Sequence, residues 1–235
     1  MEHVLVTGAS SGIGAATALA LARPRTSLHL VARGEAKLKE VAAEALARGA
    51  AVASAYSVDV SDDGALESLA GALGSATDRL DALIHSAGVV SLGNVADADI
   101  GELDRQYRVN LRAPFRLTQL LLASIIRAKG TIVFVNSGAG LKANPSWSQY
   151  AATKHGLKAL ADSVRGELSE HGVRVVSVYP GRVDSPMQRL VHEFEQREYH
   201  PEAFLRPQDV ATQIVTAVDL PRPAQIVDVS IRPGP

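Results

Sequence analysis

Tyr150 and Lys154 stand four positions apart in "SQYAATKHG", residues 148 to 156. On a helix that spacing is a little over one turn, so a phenol and an ammonium project from the same face. Such a pair suits proton transfer. Hydride delivery to a carbonyl carbon leaves an alkoxide, which needs an acid within hydrogen-bond reach of its oxygen. A free tyrosine, with a pKa of about 10, holds its proton too firmly to work in both directions near neutrality. A cation beside it favours the phenolate and is expected to lower that value. Tyr150 is therefore read as a general acid/base and Lys154 as its tuner. A solvated helix face explains an isolated pair equally well, so the rest of the chain has to decide.

The elements that would position this pair are legible as apolar runs. "HVLVT", "SLHLVA", "AVASAYSV", "DALIHSA", "GTIVFVNS", "VRVVSVYP" and "AQIVDVSI" recur along the chain, separated by stretches of helical spacing such as "AKLKEVAAEALARG" and "GALESLAGALG". Runs that are apolar throughout suit strands buried on both faces. Their alternation with helices predicts an α/β chain: a doubly wound parallel sheet of about seven strands, helices on both faces, in a single domain over 1–235. Sheets of this kind bind ligands beyond the carboxyl ends of their strands, where the strand order reverses. No internal repeat or low-complexity tract interrupts the pattern. The least regular stretch, 182–207, reads either as a flap over the site or as a surface excursion.

Composition narrows the function classes. The chain has 235 residues, 46% of them hydrophobic, with 24 lysines plus arginines against 25 aspartates plus glutamates. That balance lacks the basic excess of a nucleic-acid binder. The chain has no cysteine, which excludes disulfides, thiolate metal sites and cysteine nucleophiles. No signal-peptide pattern opens the sequence and no apolar run approaches the ~20 residues of a membrane helix, so a soluble cytoplasmic protein without membrane partners is expected. No metal site is expected either. None of the seven histidines lies in an H-E-x-x-H pattern, and the two of "HEFEQREYH" are eight apart, as on a solvated helix.

After the first strand comes "TGASSGIG", with Gly8, Gly12 and Gly14 leading into a helical pattern. Glycines here permit a tight turn and let backbone N–H groups and the helix N-terminus approach a pyrophosphate. At the end of the second strand, a carboxylate would hold the ribose 2′-hydroxyl of NAD, whereas an arginine would hold the 2′-phosphate of NADP. Ala32 and Arg33 stand there, so NADP(H) is the expected cofactor. Asp59, in "SVDVSD", offers a carboxylate to the adenine amino group, with the Val60 backbone similarly placed. Capping of the next helix is the competing role for Asp59, although Ser61 and Asp62 can fill it.

These residues together resemble the short-chain dehydrogenase/reductase family. The match comprises "TGASSGIG" at 7 to 14, "VD" at 58 to 59, "SAG" at 86 to 88, "VN" at 109 to 110, "NSGAG" at 136 to 140, "YAATK" at 150 to 154 and "YPGRVDS" at 179 to 185. The resemblance implies a Rossmann-like domain, a nicotinamide cofactor and a catalytic set falling on Asn110, Ser137, Tyr150 and Lys154. It implies that Ser137 donates to the substrate oxygen and that Asn110 holds a water linking Lys154 to solvent. A hydrogen-bonded kink in the helix around "YRVNLRAP" is a compatible role for Asn110. The cofactor contacts it implies are Gly8, Ser10, Ser11, Gly12, Ile13, Gly14, Arg33, Asp59, Val60, Ser86, Ala87, Gly88, Tyr150, Lys154, Pro180, Gly181, Val183 and Ser185. Lys154 would reach the nicotinamide ribose, and the positive ring would join Lys154 in lowering the phenol. A homodimer or homotetramer is implied, built through long helices over 97–128 and 150–170.

Two features depart from the family pattern. Ser185 replaces a threonine and keeps its hydroxyl, whereas His85 and Ser86 replace two asparagines at the end of the fourth strand. His85 is read as a satisfied strand-end residue in preference to a catalytic one. Small-molecule carbonyl or alcohol substrates are expected, with Leu141, Trp147 and Met187 as apolar lining. The rival readings are a catalytically silent NADP-binding regulator, which would have lost Tyr150 or Lys154, and a sugar-nucleotide epimerase, which needs more chain after Gly181. Ser137 lacks the G-x-S-x-G setting of a hydrolase nucleophile.

Overall fold

The structure, a computed structural model, describes residues 1–234. Strands β1 (Glu2–Thr7), β2 (Thr26–Ala32), β3 (Val52–Ser57), β4 (Ala82–His85), β5 (Thr131–Val135), β6 (Arg174–Pro180) and β7 (Asp228–Ile231) fall on the seven apolar runs. Among them lie helices α1 (Gly12–Ala20), α2 (Glu35–Ala47), α3 (Asp63–Ala76), α4 (Ile100–Tyr107), α5 (Ala113–Ala128), α6 (Ser148–Leu168), α7 (Pro186–Glu195) and α8 (Pro207–Asp219). The strands form one sheet in the order β3-β2-β1-β4-β5-β6-β7, parallel throughout. The chain builds outward from β1 to β3, then returns to the other side of β1 with β4. That reversal opens a crevice beyond the carboxyl ends of β1 and β4.

Strand residues point alternately to two cores, which is why the runs are apolar without alternation. Val4, Val6, Leu28, Leu30, Val133 and Val176 pack with Leu38 of α2 and Val210 and Ile214 of α8 on one face. On the other, Leu5, Leu83, Ile132, Phe134 and Val175 meet Leu66 of α3, Leu121 and Ile125 of α5, and Leu157 and Ala161 of α6. β3 and β7 depart from the expected burial. They are the sheet's edges and remain partly exposed, because neighbouring elements cover an edge strand less completely.

The helix expected over 97–128 is two helices, α4 and α5, joined by a π-helical turn at Arg108–Arg112. The widened turn carries Asn110 inward. Segment 182–207 is ordered by α7 and a 3-10 turn at Pro201–Ala203, and its ends meet in a bridge between Val183 and Leu205. The solvated helix expected through "HEFEQREYH" is corrected here. α7 stops at Glu195, and His192 is buried, its ring 5.2 Å from those of both Tyr199 and Phe204. The helix turns His192 to its packed side, and the two aromatics beyond its end close over it. Among the described residues, no helix is long and apolar enough to cross a membrane, and no group of three potential metal ligands occurs.

Candidate active site

The turn after β1 is shaped by two close approaches. Gly8 has φ +68°, and a Cβ there would lie 2.8 Å from the Ala87 backbone; a Cβ on Gly14 would lie 2.3 Å from the Gly8 carbonyl oxygen. The first turn of α1 therefore rests on Gly8, and Gly8 rests on the segment leaving β4. Thr7 ties that junction together. Its hydroxyl accepts from the N–H groups of Ser86 and Ala87, both at 3.1 Å, and donates to the Ile84 carbonyl at 3.3 Å. No side chain caps α1, so its first N–H groups face the crevice unclaimed by Ser11.

The crevice is a cavity of about 680 Å³. Every residue read from the sequence as a cofactor contact lines it, from Gly8 and the rest of the glycine turn through Arg33, Asp59 and Ser86 to Pro180 and Ser185. Arg33 follows β2, its carbonyl accepting from the Ser57 hydroxyl at 3.1 Å. Burial works to raise the Asp59 carboxyl. Two hydrogen bonds from Ser61, at 2.9 and 2.7 Å, and the field of Arg33 outweigh it and leave the group below its ordinary value. Asp62 caps α3, accepting from the Ala65 N–H at 3.1 Å, so Asp59 is not used as the helix cap.

Tyr150 and Lys154 lie on the inward face of α6, both buried and both lining the cavity. Ser137 caps a 3-10 turn, Gly138–Gly140, at the end of β5; its hydroxyl accepts from the Ala139 N–H at 3.1 Å, and Ser137 lines the same cavity as Tyr150. The Lys154 Nζ donates to the Val135 carbonyl at 3.1 Å and lies 5.8 Å from the centre of the Tyr150 ring. Burial pushes the phenol up to about 12, against a smaller downward pull from Ser137, and burial brings the Lys154 ammonium down to about 8. The lowered phenol expected from the sequence is thus absent in the protein alone. Both groups are dehydrated, so each is driven toward its neutral form.

Asn110 joins the cluster from behind and does not line the cavity. Its carboxamide is held by protein at both ends: the oxygen accepts from the Val89 N–H at 2.8 Å, and the nitrogen donates to the Val89 carbonyl at 2.9 Å and to the Thr153 hydroxyl at 3.1 Å. Asn136, to which the sequence reading gave no role, does related work. Its side-chain N–H donates to the Lys154 carbonyl at 3.1 Å while its oxygen accepts from the Ser137 N–H at 2.9 Å. One amide thus fixes α6 against the serine loop. Gln106 and Gln149, also missed, form a buried pair at 3.0 Å that ties α4 to α6, with Gln106 accepting from the Ser91 N–H at 3.1 Å. Their signal was a polar residue inside an otherwise amphipathic helix, visible only once the opposite helix is placed.

His85 is buried at the end of β4, 2.9 Å from the Thr118 hydroxyl and stacked on Phe134 at 5.0 Å. Trp147 and Met187 line the cavity, and the Trp147 ring stands edge-on to Tyr150 at 6.0 Å. Leu141 does not: it leaves the 3-10 turn pointing outward and is 44% exposed, which corrects its assignment to the lining.

A doubly wound parallel sheet with a glycine-lined crevice at its reversal defines a Rossmann-like, dinucleotide-binding class of fold. The family model for short chain dehydrogenase matches residues 2–196, and the chain belongs to that family. An uncharacterized oxidoreductase of Staphylococcus epidermidis is 30% identical over 230 residues, covering 97% of this chain and 96% of its own. The structure of an alcohol dehydrogenase from the archaeon Thermococcus sibiricus, complexed with 5-hydroxy-NADP, superimposes with a TM-score of 0.90 at 25% identity, covering 99% of this chain and 97% of the other. A metagenomic short-chain oxidoreductase in complex with NADP superimposes with a TM-score of 0.85 at 30% identity, covering 100% and 97%.

Proposed function

We propose that this protein is an NADP(H)-dependent oxidoreductase that interconverts a ketone or aldehyde and an alcohol, with Tyr150 as general acid/base. The observation carrying this reading is the buried Tyr150, with Lys154 beside it and Ser137 in the same wall of the cavity that the glycine turn opens. The residues present fit a dinucleotide. The approaches at Gly8 and Gly14 leave no room for a Cβ, and Arg33 stands after β2 with its side chain on the cavity. When bound, the cofactor supplies the hydride. Gly8, Ser10, Ser11, Gly12, Ile13 and Gly14 would receive its pyrophosphate, Arg33 its 2′-phosphate, and Asp59 and Val60 its adenine. Ser86, Ala87, Gly88, Pro180, Gly181, Val183 and Ser185 would line the path toward Tyr150.

The chain's own residues then handle the proton. A phenol at about 12 is fully protonated at neutral pH, which is the form that donates to a nascent alkoxide. Ser137 shares that oxygen and steadies its developing charge. Lys154, held by Val135, would hold the nicotinamide ribose and bring a positive charge toward the phenol as the proton leaves. Asn110 fixes the Val89 segment and Thr153 in position behind it.

The test is NADPH oxidation against a panel of ketones and aldehydes, compared with Tyr150→Phe. Loss of about 100-fold or more in turnover is expected for the variant, in line with removal of a general acid. Undiminished reduction by Tyr150→Phe would remove the mechanism. Cofactor binding without turnover on any carbonyl or alcohol would support the silent regulator.

A further inference from the structure

One wall of the cavity continues beyond it. Met187, Leu190 and Val191 of α7 line the cavity, and Val191 packs in the same small apolar cluster as Tyr150 and Val90. On a helix of about 100° per residue, Phe194 falls in the same angular sector as Met187, Leu190 and Val191. It extends that stripe by a further turn, so the apolar rail from Met187 to Phe194 runs about 10 Å. The opposite side of α7 is closed by His192, buried against Tyr199 and Phe204; Gln188, buried and hydrogen-bonded to it at 3.0 Å, stands between and also lines the cavity. The rail is open. Leu190 is 46% exposed and Phe194 51% exposed, large apolar side chains standing in solvent directly outside the site. Trp147, edge-on to Tyr150, makes the inner end aromatic.

We infer that the substrate is an elongated apolar carbonyl compound, an alkyl or arylalkyl ketone whose carbonyl lies at Tyr150 and Ser137 and whose hydrocarbon body leaves along Met187, Leu190 and Phe194. This rests on the oxidoreductase reading above and gives it a substrate class. The argument for a substrate chain, and against a second protein, is continuity. Leu190 belongs both to the cavity and to the exposed stripe, so an occupant of the stripe meets the reacting end without a gap. A compact polar substrate such as a triose or a small hydroxy acid could meet polar lining such as Asn144 and Gln188 near the reacting end, but would leave the rail of Leu190 and Phe194 in water. The burial of apolar surface favours the long chain by a fixed increment per methylene.

The experiment is a series of methyl ketones from four to twelve carbons, reduced with NADPH by the wild-type protein and by Leu190→Ser/Phe194→Ser. In the wild type, kcat/KM is expected to rise about two- to fourfold per added methylene until the chain passes the rail, then level off. In the variant the ratio between the eight- and four-carbon ketones should fall by about tenfold or more. Because that ratio is taken within one protein, a general loss of folding or activity cancels. Trp147 is the only tryptophan in the chain and lines the cavity, so its fluorescence gives a second readout without turnover. Long-chain secondary alcohols should titrate it at lower concentrations than short ones, and the variant should lose the difference. A flat chain-length profile with good reduction of compact polar ketones would overturn the inference while leaving the oxidoreductase reading intact. No reduction of any carbonyl would overturn both. If the variant changes the oligomeric state in light scattering and keeps the chain-length ratio, the stripe is an interface between copies and the inference falls.

Discussion

Replacing His85 with asparagine should make the protein's stability less sensitive to acid by an amount that follows from burial. His85 is 3% exposed, and burial brings its imidazole from 6.5 down to about 3. In the unfolded chain it takes up a proton as the pH falls through 6.5, whereas the folded protein refuses it. Its contribution is therefore fully present above pH 6.5 and lost as the pH falls, at about 1.4 kcal/mol per pH unit. At pH 4.5 the folded imidazole is still neutral, so the loss is set by the two units below the unfolded value, about 2.5 kcal/mol relative to pH 7. Asparagine cannot titrate, and its amide can still meet the Thr118 hydroxyl now 2.9 Å from the ring. Its smaller side chain leaves space against Phe134, costing about 1–2 kcal/mol at either pH. The measurement is urea unfolding of both proteins at one concentration, at about pH 7 and pH 4.5. Wild type should lose about 2.5 kcal/mol more than His85→Asn between the two conditions, while His29, also lowered by burial, to about 4, acts equally in both. Equal losses would mean that the imidazole is hydrated or protonated in the folded state, and the reasoning from burial would fail.

Gly8→Ala should abolish NADPH binding, read by fluorescence of the reduced cofactor, since the new methyl meets the Ala87 backbone at 2.8 Å in a left-handed backbone that itself costs about 1–2 kcal/mol. Alanine at this position with unaltered affinity would show that the turn does not receive the phosphates. Arg33→Asp should weaken NADPH by about tenfold or more and leave NADH equal or improved, measured as the ratio of the two dissociation constants. An unchanged ratio would place the 2′-phosphate elsewhere.

Much of the fold was written in the sequence because a doubly wound sheet needs strands apolar on both faces. "TIVFV" and "VRVVSVYP" can be nothing else in a chain this regular, and β5 and the inner part of β6 are buried throughout. "AVASAYSV" and "AQIVDVSI" look alike by composition but become edge strands, because position in the sheet depends on which strand lies beside which. Site residues on short loops after strands were legible for a related reason: backbone geometry alone brings the ends of β1, β4, β5 and β6 to one crevice. The amide clamps were not. Asn136 reaches Lys154 across 18 residues, Gln106 reaches Gln149 across 43, and Thr7 reaches Ser86 across 79. Nothing local marks such partners. Leu141 was misplaced by the same limit, since the direction of a side chain leaving a 3-10 turn is set by the turn's packing and not by its neighbours in sequence.

Tyr150 lines the cavity beside Lys154, and in the polypeptide alone its phenol is raised, whereas the expected lowering combined Lys154 with the positive nicotinamide ring; the reason lies in what surrounds it. Sequence spacing supplies a charge beside a phenol, but not the dielectric that sets how strongly the two interact. In the folded chain Tyr150 and Lys154 are both cut off from solvent, so the ammonium that should stabilise a phenolate is itself expensive to keep charged, and its value drops to about 8 as the phenol's rises to about 12. With its value at about 12 the phenol keeps its proton at neutral pH, the state the proposed reduction needs, while Lys154 at about 8 remains mostly charged. In the proposed reaction, release of that proton in the opposite direction draws on the positive charge of Lys154 together with that of the oxidised cofactor. The dehydrated setting that keeps the phenol protonated is the same setting in which one added charge acts through little screening, so in the proposed mechanism the apolar walls and the hydroxyl are parts of one arrangement.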